Sequence, residues 1–266
     1  MIKIKNKEKD NRNLNNQKAI DIAFNIIAIF SIVLFCIAIA PKSFQNDTFY
    51  TIKIGQLIRK NGIDFQEHFS WISGLRYSYP HWLYDVITSF IYDYLGGYAG
   101  IYIATMVLSA FLGIALFKAN KIICKNELIS FFMTLVQIYL MGAYIAARAQ
   151  LVTFILFVLE IIFIEKFLET GKYRYAIGLV ILPILIANLH AAVFPFYFVL
   201  YLPYLGQYIV TLIIDAHIIH KIKNQYIKFS IRFYNNKLKK ASKEDAKKFQ
   251  KKLANCNKKL EIEKEK

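Results

Sequence analysis

A single acidic residue lies at the start of an amphipathic segment, where it can take part in proton transfer. The segment is NDTFYTIKIGQLIRKNG, residues 46–62, and the acid is Asp47. Its apolar residues recur at helical spacing: Tyr50, Ile54, Leu57 and Ile58. Aspartate at a helix start is a preferred N-cap, because its carboxylate accepts a backbone N–H of the first turn. A carboxylate that faces basic groups can also act as a general base. The sequence predicts a helix with Asp47 as its N-cap and leaves both roles open.

Four side chains further along could bind a divalent cation. His81 and Asp85 are four residues apart, on one face of a second helical segment, and Glu67 or His68 could complete the shell. Carboxylate and imidazole ligands could bind manganese or magnesium, but they indicate a particular metal less specifically than thiolates indicate zinc. The alternative is that His81 and Asp85 form a hydrogen-bonded pair that orients the loop. We therefore expect no obligatory cofactor and keep a divalent metal as an alternative.

The composition places these segments in a membrane protein. The 266 residues are 56% hydrophobic, yet the net charge is +16, because apolar runs fill the middle of the chain and basic residues gather at its ends. A helix needs about 20 apolar residues to cross about 30 Å of hydrocarbon. Six segments meet this requirement: 20–40, 99–117, 128–147, 150–166, 175–190 and 195–214. We predict an all-α integral membrane protein with about six transmembrane helices.

Two further helices are predicted to lie in the membrane interface. The segment Trp82–Leu95 is only about 21 Å long as a helix and contains Asp85 and Asp93, so it is too short and too polar to cross. It is apolar on one face and polar on the other, as is the segment 46–62, and such helices lie flat at the bilayer surface. Both belong to one outer loop, residues 41–98.

The distribution of basic residues predicts which side each loop occupies. Cytoplasmic loops collect Lys and Arg. If 82–95 stays outside, the inner segments are 1–18, 118–127, 166–174 and 216–266, and they hold 28 of the 34 basic residues. If 82–95 crossed, the basic loop and the Lys-rich tail would both be outside. We therefore predict a multi-pass plasma-membrane protein with both termini in the cytoplasm.

The chain divides into three parts on this basis. Residues 1–19 form a basic cytoplasmic N-terminus, 20–215 the transmembrane module, and 216–266 a Lys-rich cytoplasmic tail. The tail is predicted to be one charged helix that lies on the anionic inner leaflet or pairs with another helix. Basic residues next to a membrane span are explained by attraction to anionic lipids. We therefore expect the tail to contact the bilayer and not a nucleic acid.

The order of residues in the outer loop resembles that of bacterial class C (GT-C) glycosyltransferases. The stretch NDTFYTIKIGQLIRKNGIDFQEHFSWISGLRYSYPHWLYDVITSFIYDYLGGYAG is similar to their first outer loop. The matching positions are Asp47, Tyr50, Gly55, Gly62, Phe69, Ser70, His81, Trp82, Leu83, Gly96 and Gly97. Downstream, ARAQL resembles the family's Arg-Pro turn, with Ala149 in place of proline. PILIANLHAAVF resembles its Asn-Leu-His-Gly segment, with Ala191 in place of glycine. The similarity covers about residues 20–210.

The resemblance implies a reaction and a set of roles. Such enzymes take a sugar from a polyprenyl-phosphate carrier and transfer it to an acceptor at the non-cytoplasmic face. Asp47 would be the base that activates the acceptor hydroxyl, and Arg148 and His190 would contact the phosphate. Asn188, His81 and Trp82 would be further substrate-binding positions. Trp82 could stack on the sugar or anchor the loop in the interface.

The resemblance also carries an expectation about the rest of the protein. Related enzymes have more than six spans and bind the acceptor toward the C-terminus. We therefore expect this chain to be an N-terminal module, half of a split protein, or a reduced homologue. In the first two cases a C-terminal membrane half or a partner subunit would complete it. The alternative to an enzyme is a non-catalytic scaffold or a subunit that binds the lipid carrier.

Overall fold

The described part of the chain is helical. The structure, a computed structural model, describes residues 2–41, 43–215, 218–239 and 243–264. Within these ranges no strand forms, and one isolated antiparallel bridge joins Gln66 and Arg76. In chain order the α-helices of these ranges are α1 (Ile2–Ile39), α2 (Asn46–Asn61), α3 (Trp82–Tyr94), α4 (Tyr98–Cys124), α5 (Glu127–Met141), α6 (Ala149–Thr170), α7 (Tyr173–Leu189), α8 (Phe194–Val199), α9 (Leu202–Asp215), α10 (Ile218–Leu238) and α11 (Lys243–Lys264). Lys42, in the outer loop, and Ala216, the predicted start of the tail, lie outside the described residues.

Several of these helices are compatible with a membrane. In the described residues, four helical stretches are long and apolar enough to cross one: Lys18–Ile39, Tyr98–Cys124, Glu127–Tyr144 and Ala191–Ile214. This confirms the predicted all-α chain with several membrane-compatible helices. The other two predicted spans are helices as well, but α6 carries Glu160, Glu165 and Lys166. The second, α7, has only 17 residues, or about 25 Å. Length and composition alone therefore identify four of the six predicted spans.

Two helices extend past the spans predicted for them, into segments that are predicted to be cytoplasmic. The first helix begins at Ile2, so the basic N-terminus continues directly into the first span. The predicted loop 118–127 is mostly helix, because α4 continues to Cys124 through residues that contain neither Gly nor Pro. It ends where Lys125 adopts a left-handed conformation with φ of 53°. Asn126 then caps α5 by accepting the N–H of Ile129 at 3.0 Å.

The last predicted span, 195–214, consists of two helices rather than one. The first of them, α8, ends at Val199, and α9 begins at Leu202. Proline has no backbone N–H, so Pro203 cannot donate to the carbonyl of residue 199. It lies in the first turn of α9, as Pro195 does in α8, whereas Pro183 lies inside α7.

The unit Met1–Leu200 has its core between α1, α4, α5 and α6. Ile32, Leu112, Ile138 and Leu151 are fully buried there. The helices α1 and α4 approach closely at Gly113, where a Cβ would lie 2.7 Å from the sulfur of Cys36. Close packing of this kind fixes the ends of the helices relative to one another.

The two predicted amphipathic helices, α2 and α3, pack against each other in the same unit. On α3 the buried face is the polar one, with Asp85, Thr88 and Ser89, while Ile87 and Phe90 are exposed. A helix whose apolar face points outward suits a lipid environment rather than water. The close contact requires glycine at position 55 of α2, because a Cβ there would lie 2.0 Å from the carbonyl oxygen of Asp85.

The second compact unit, Tyr201–Lys266, contains α9, α10 and α11. The prediction of a single tail helix is wrong, since α10 and α11 pack against each other. The rings of Tyr234 and Phe249 lie 6.4 Å apart, and the ammonium groups of Lys237 and Lys252 lie over the facing rings at 5.7 and 5.8 Å. These aromatic and lysine side chains therefore pair two helices of the same chain.

Candidate functional site

A cavity of about 300 Å³ opens at one end of the bundle in the first unit. Four separate stretches contribute to it: the first turns of α2, the residue before α3, the start of α6 and the residue after α7. The lining residues are Asp47, Tyr50, Thr51, His81, Arg148, Ala149, Gln150 and His190. Four of the six residues predicted to act on substrate therefore share one cavity, although they come from distant parts of the chain.

Hydrogen bonds between the loops hold these stretches in place. The hydroxyl of Thr48 is buried and donates to the carbonyl of Ala147 at 3.1 Å, which docks α2 on the turn before α6. The N–H of Ala191 donates to the carbonyl of Pro80 at 2.7 Å, which joins the turn after α7 to the residues before α3. Breaking either bond would leave a polar group without its partner, at a cost of about 1–3 kcal/mol where that group is buried.

Trp82 and Asn188, the other two predicted substrate-binding residues, contact each other and do not line the cavity. The indole Nε1 of Trp82 donates to Oδ1 of Asn188 at 3.1 Å, and Nδ2 of Asn188 donates to the carbonyl of Ile184 at 2.8 Å. Asn188 thus uses both its donor and its acceptor within the protein. This pair joins α3 to the end of α7. A direct role for either residue in substrate binding stays a prediction.

The two charged groups predicted to act on substrate are bound to each other. The guanidinium of Arg148 forms an ion pair with the carboxylate of Asp47, and its Nη1 donates to Oε1 of Gln45 at 3.1 Å. The N-cap of α2 is Gln45, which makes no side-chain capping bond, so the prediction that Asp47 is the N-cap is wrong. Asp47 is the second residue of the helix. A guanidinium is a stronger partner for its carboxylate than a backbone N–H, because the donor itself carries a positive charge.

His81 is hydrogen-bonded to a fully buried carboxylate. Its Nδ1 lies 2.7 Å from Oδ1 of Asp85, and the side chains of His81 and Asp85 are 23% and 0% exposed. Burial raises the pKa of the Asp85 carboxyl, while His81 and the hydroxyl of Thr51 oppose that rise. Among the described residues no donor has hydrogen-bonding geometry with Oδ2 of Asp85. The structure therefore shows the predicted hydrogen-bonded pair.

His190 presents one ring nitrogen to a defined partner. The hydroxyl of Thr153 donates to the carbonyl of Ala149 at 3.0 Å and lies 2.9 Å from Nδ1 of His190. A hydroxyl has only one proton, so Nδ1 must be the donor to Thr153, and neutral His190 keeps a lone pair on Nε2. Burial lowers the pKa of His190, and the charges of His81 and Arg148 lower it further. The rings of His190 and His81 lie 6.4 Å apart.

The predicted metal ligands do not come together. No group of three or more His, Cys, Asp or Glu side chains among the described residues could hold a metal ion. His68 instead pairs with Asp64, with 2.7 Å between Nε2 and Oδ2. Glu67 accepts the backbone N–H of Phe69 at 2.8 Å. The geometry gives no support to a metal at His81.

The two departures from the family pattern fit their local structure. Ala149 is the first residue of α6, a position where proline is favoured but not required, because its N–H has no partner within the helix. Ala191 begins a 3-10 turn and is not among the residues with positive φ in the described chain. Neither alanine therefore distorts the turn that carries Arg148 or His190.

A second cavity, about 570 Å³ in volume, lies in the outer loop beside the Gln66–Arg76 bridge. Asp64 lines it and accepts hydrogen bonds from the backbone N–H of Gln66 at 3.1 Å and from the hydroxyl of Tyr79 at 2.8 Å. These bonds, with His68, hold the pKa of Asp64 at about 2. The cavity shares no lining residue with the first one.

Two residues of the site were not predicted. Gln45 and Thr153 hold Arg148 and His190, respectively, yet neither belongs to a motif. The only signal in the sequence is indirect: Thr153 lies four residues after Ala149, the spacing at which a threonine hydroxyl reaches a helix carbonyl. Comparison of the chain with family models, curated proteins and solved structures finds no match.

Proposed function

We propose that six helical segments cross the plasma membrane and that both termini are cytoplasmic. The distribution of basic residues supports this orientation, since 28 of 34 fall in the predicted inner segments. The contacts at the other end of the bundle support it as well. There, Lys121 donates to Asn25 and to Glu127, both at 2.5 Å, which joins the interior of α1 to the end of α4 and the start of α5, near the side predicted to be cytoplasmic. In this orientation the cavity with Arg148 opens on the non-cytoplasmic side.

We propose that this cavity transfers a sugar from a polyprenyl-phosphate donor to an acceptor hydroxyl. The observation that carries the proposal is the convergence of Asp47, His81, Arg148 and His190 on one cavity. Arg148 matches the geometry of phosphate oxygens and can bind two of them. His190 can donate a hydrogen bond from Nε2 to a third when its imidazole is protonated, because Nδ1 is already bonded to Thr153. The transfer to a lipid-linked donor in particular rests on the resemblance of the outer loop to class C glycosyltransferases.

The size of the cavity limits what it can hold. Ligand sites range from about 300 to 1,000 Å³, and this cavity, at about 300 Å³, is at the lower end. It can take the sugar phosphate but not the prenyl chain, which would remain in the lipid. A larger acceptor would need further surface. That is consistent with a C-terminal membrane half or a partner subunit completing the site.

Besides Nε2 of His190, two groups in the cavity can take up the proton of the acceptor hydroxyl. The resemblance gives this role to Asp47. In the structure Asp47 is bound to Arg148, so a donor phosphate that recruits Arg148 would first have to release the carboxylate. The other group is the imidazole of His81, which lines the same cavity.

The ion pair also favours the alternative function, a carrier-binding subunit without turnover. If Asp47 serves only to hold Arg148, the cavity would bind a lipid phosphate and transfer nothing. The paired tail helices α10 and α11 could then recruit a catalytic partner. Binding alone would distinguish neither function, so the test must measure turnover.

The test is release of prenyl phosphate from a defined donor. Protein reconstituted in liposomes would be given farnesyl phosphate linked to glucose, mannose, galactose or N-acetylglucosamine, with water or added sugar as acceptor. We expect one donor to release farnesyl phosphate, and Arg148→Gln to abolish the release. Arg76→Gln is the matched control, because Arg76 lines the other cavity. If no donor is cleaved while farnesyl phosphate still binds, the carrier-binding function is correct and the enzyme is not.

A further inference from the structure

We infer that His81 is the proton acceptor of the cavity and that Asp85 positions it. This inference rests on the proposed sugar transfer and assigns the proton to a group other than Asp47. The observation behind it is that the imidazole of His81 lines the cavity and is hydrogen-bonded to the buried carboxylate of Asp85. Nothing in the resemblance gives Asp85 a role.

The geometry fixes which nitrogen of His81 is available. With Asp85 ionised, the proton that it shares with His81 lies on Nδ1 of His81, and Oδ1 of Asp85 accepts it at 2.7 Å. The nitrogen left for a ligand is then Nε2, with its lone pair. This is the arrangement in which a buried aspartate holds a histidine in the tautomer of a general base. Asp85 is well placed for this, since Gly55 brings α2 against it and excludes water.

Charge also favours proton uptake at this position. When His81 accepts a proton, its imidazolium lies against a buried carboxylate to which no other cation of the described residues is bonded. Asp47, by contrast, is already neutralised by Arg148. The other titratable or charged groups that line the cavity or interact with Asp85 are Tyr50 from α2, Tyr77 from the outer loop, Tyr84 from α3, Arg148 before α6 and His190 after α7. Glu67 acts on the pair only indirectly, through Tyr50 and Tyr77.

The proposed step balances as a substitution at the sugar. The oxygen of the acceptor hydroxyl forms a bond to the anomeric carbon, and the bond from that carbon to the phosphate oxygen breaks. The bonding electron pair leaves with the polyprenyl phosphate, whose charge Arg148 offsets. The hydroxyl proton goes to Nε2 of His81. Asp85 does not receive a proton and acts by orienting the imidazole and stabilising its charged form.

The first test needs no substrate. Nitrogen-15 NMR of the histidine side chains would report the tautomer of His81 in nanodiscs at alkaline pH, with His81→Gln identifying its signals among the five histidines. We expect the proton on Nδ1 in the wild type and on Nε2 in Asp85→Asn, because the amide can donate to Nδ1. Wild-type protein with its proton on Nε2 would overturn the inference even if the variant does not fold.

A matched pair in the same loop provides the control. Asp64 and His68 have the same residue types, the same spacing of four and the same 2.7 Å separation, but lie outside the cavity with 27% and 28% exposure. We expect Asp64→Asn to leave the His81 signals unchanged. A change of equal size in both variants would mean that the loop as a whole responds, and the inference would be wrong.

The second test separates this inference from the proposed function. On the donor that the wild type cleaves, Asp85→Asn and His81→Gln should each lower turnover by about 100-fold or more, while farnesyl phosphate binding changes less than twofold. The rise of turnover with pH should shift to lower pH in Asp85→Asn, since the carboxylate that stabilises the imidazolium is gone. A cleaved donor with turnover and pH profile unaffected by Asp85→Asn refutes the role of the pair. Absence of turnover in the wild type refutes the enzyme.

Discussion

Replacing Asp47 with asparagine should tighten the binding of a prenyl phosphate. In the structure the carboxylate of Asp47 occupies the guanidinium of Arg148. A phosphate that binds Arg148 must displace it, so Asp47 is a competitor within the chain. Asparagine keeps the shape of the side chain but lacks the charge. This expectation is opposite to that for an ordinary binding residue, whose loss weakens affinity.

The magnitude follows from the exposure of the pair. The side chains of Arg148 and Asp47 are 37% and 60% exposed, and ion pairs in such surroundings are worth about 0.2–1 kcal/mol. Removing this competition should lower the Kd by roughly 1.4- to 5-fold. Salt screens exposed charges, so the effect should shrink as ionic strength rises. A gain in affinity of more than about 5-fold would mean that the ion pair is stronger than exposed pairs of this kind.

The assay is equilibrium binding of tritiated farnesyl phosphate to protein in nanodiscs. Four forms complete the comparison: wild type, Asp47→Asn, Arg148→Gln and the double variant. We expect Arg148→Gln to weaken binding and the gain from Asp47→Asn to vanish in the double variant, because both act through one pair. A gain that persists without Arg148 would show that Asp47 acts through the general field of the cavity.

A second ion pair at the same surface is the control for net charge. Arg59 and Asp93 form it, with Nη1 and Oδ2 2.6 Å apart, and neither residue lines the cavity. Asp93→Asn removes the same charge from the outer loop and should leave the Kd unchanged. If Asp47→Asn weakens binding, or if both variants tighten it equally, the reasoning that Arg148 is held in competition is refuted.

Three further predictions concern the stability of the first unit and its loop. Gly55→Ala should lower the unfolding temperature in detergent, because its Cβ would overlap α3, and the loss of stability should be about 1–3 kcal/mol. Gly206→Ala is the control, since its Cβ would meet no other part of the described chain within 4 Å. Equal effects of the two variants would contradict the packing of α2 on α3. Asp64 has a pKa lowered to about 2, so its contribution is present above about pH 4 and lost as pH falls toward 2. Limited proteolysis of the loop should report its loosening in that window, and Asp64→Asn should lack this dependence on pH. Glu160 is fully buried, with no hydrogen-bond partner for either oxygen in the described residues. Glu160→Met should therefore raise the free energy of unfolding by about 1–3 kcal/mol, measured as a higher unfolding temperature. A lower unfolding temperature would contradict this expectation.

The amphipathic helices of the outer loop could be predicted because their periodicity is local. The residues Tyr50, Ile54 and Ile58 recur at helical spacing, and the observed α2 differs from the predicted segment by one residue at its end. The sequence could not show that Asp47 would leave the N-cap position. That depends on Arg148, about a hundred residues away in the chain, offering a charged partner at the same surface.

The boundaries that differ from prediction also have a physical reason. The basic residues of the predicted loop 118–127 are good helix formers, so charge marks the side of the membrane there without ending the helix. In the tail, the spacing of apolar residues predicts helix but does not show that the helix reverses direction. The pairing of Tyr234 with Phe249 is a tertiary contact that only the structure shows.

The sequence predicts which residues belong to the candidate site, but not which of them bond to one another. The order of motifs named Asp47, His81, Arg148 and His190, and these four residues share one cavity. The pairing of Asp47 with Arg148 depends on the approach of α2 to the turn before α6. The burial of Asp85 behind His81 depends on the approach of α2 to α3 at Gly55. Short-range pattern does not contain that information.

Labelling of a cysteine in the cavity tests most directly whether the cavity opens outward and binds a lipid phosphate. Gln150 lines it, and Gln150→Cys in a chain without Cys36, Cys124 and Cys256 would carry one thiol. A membrane-impermeant maleimide added to intact cells should label it, and farnesyl phosphate should slow the labelling while farnesol does not. Labelling only after the cells are permeabilised, or an equal rate with both compounds, would contradict the account.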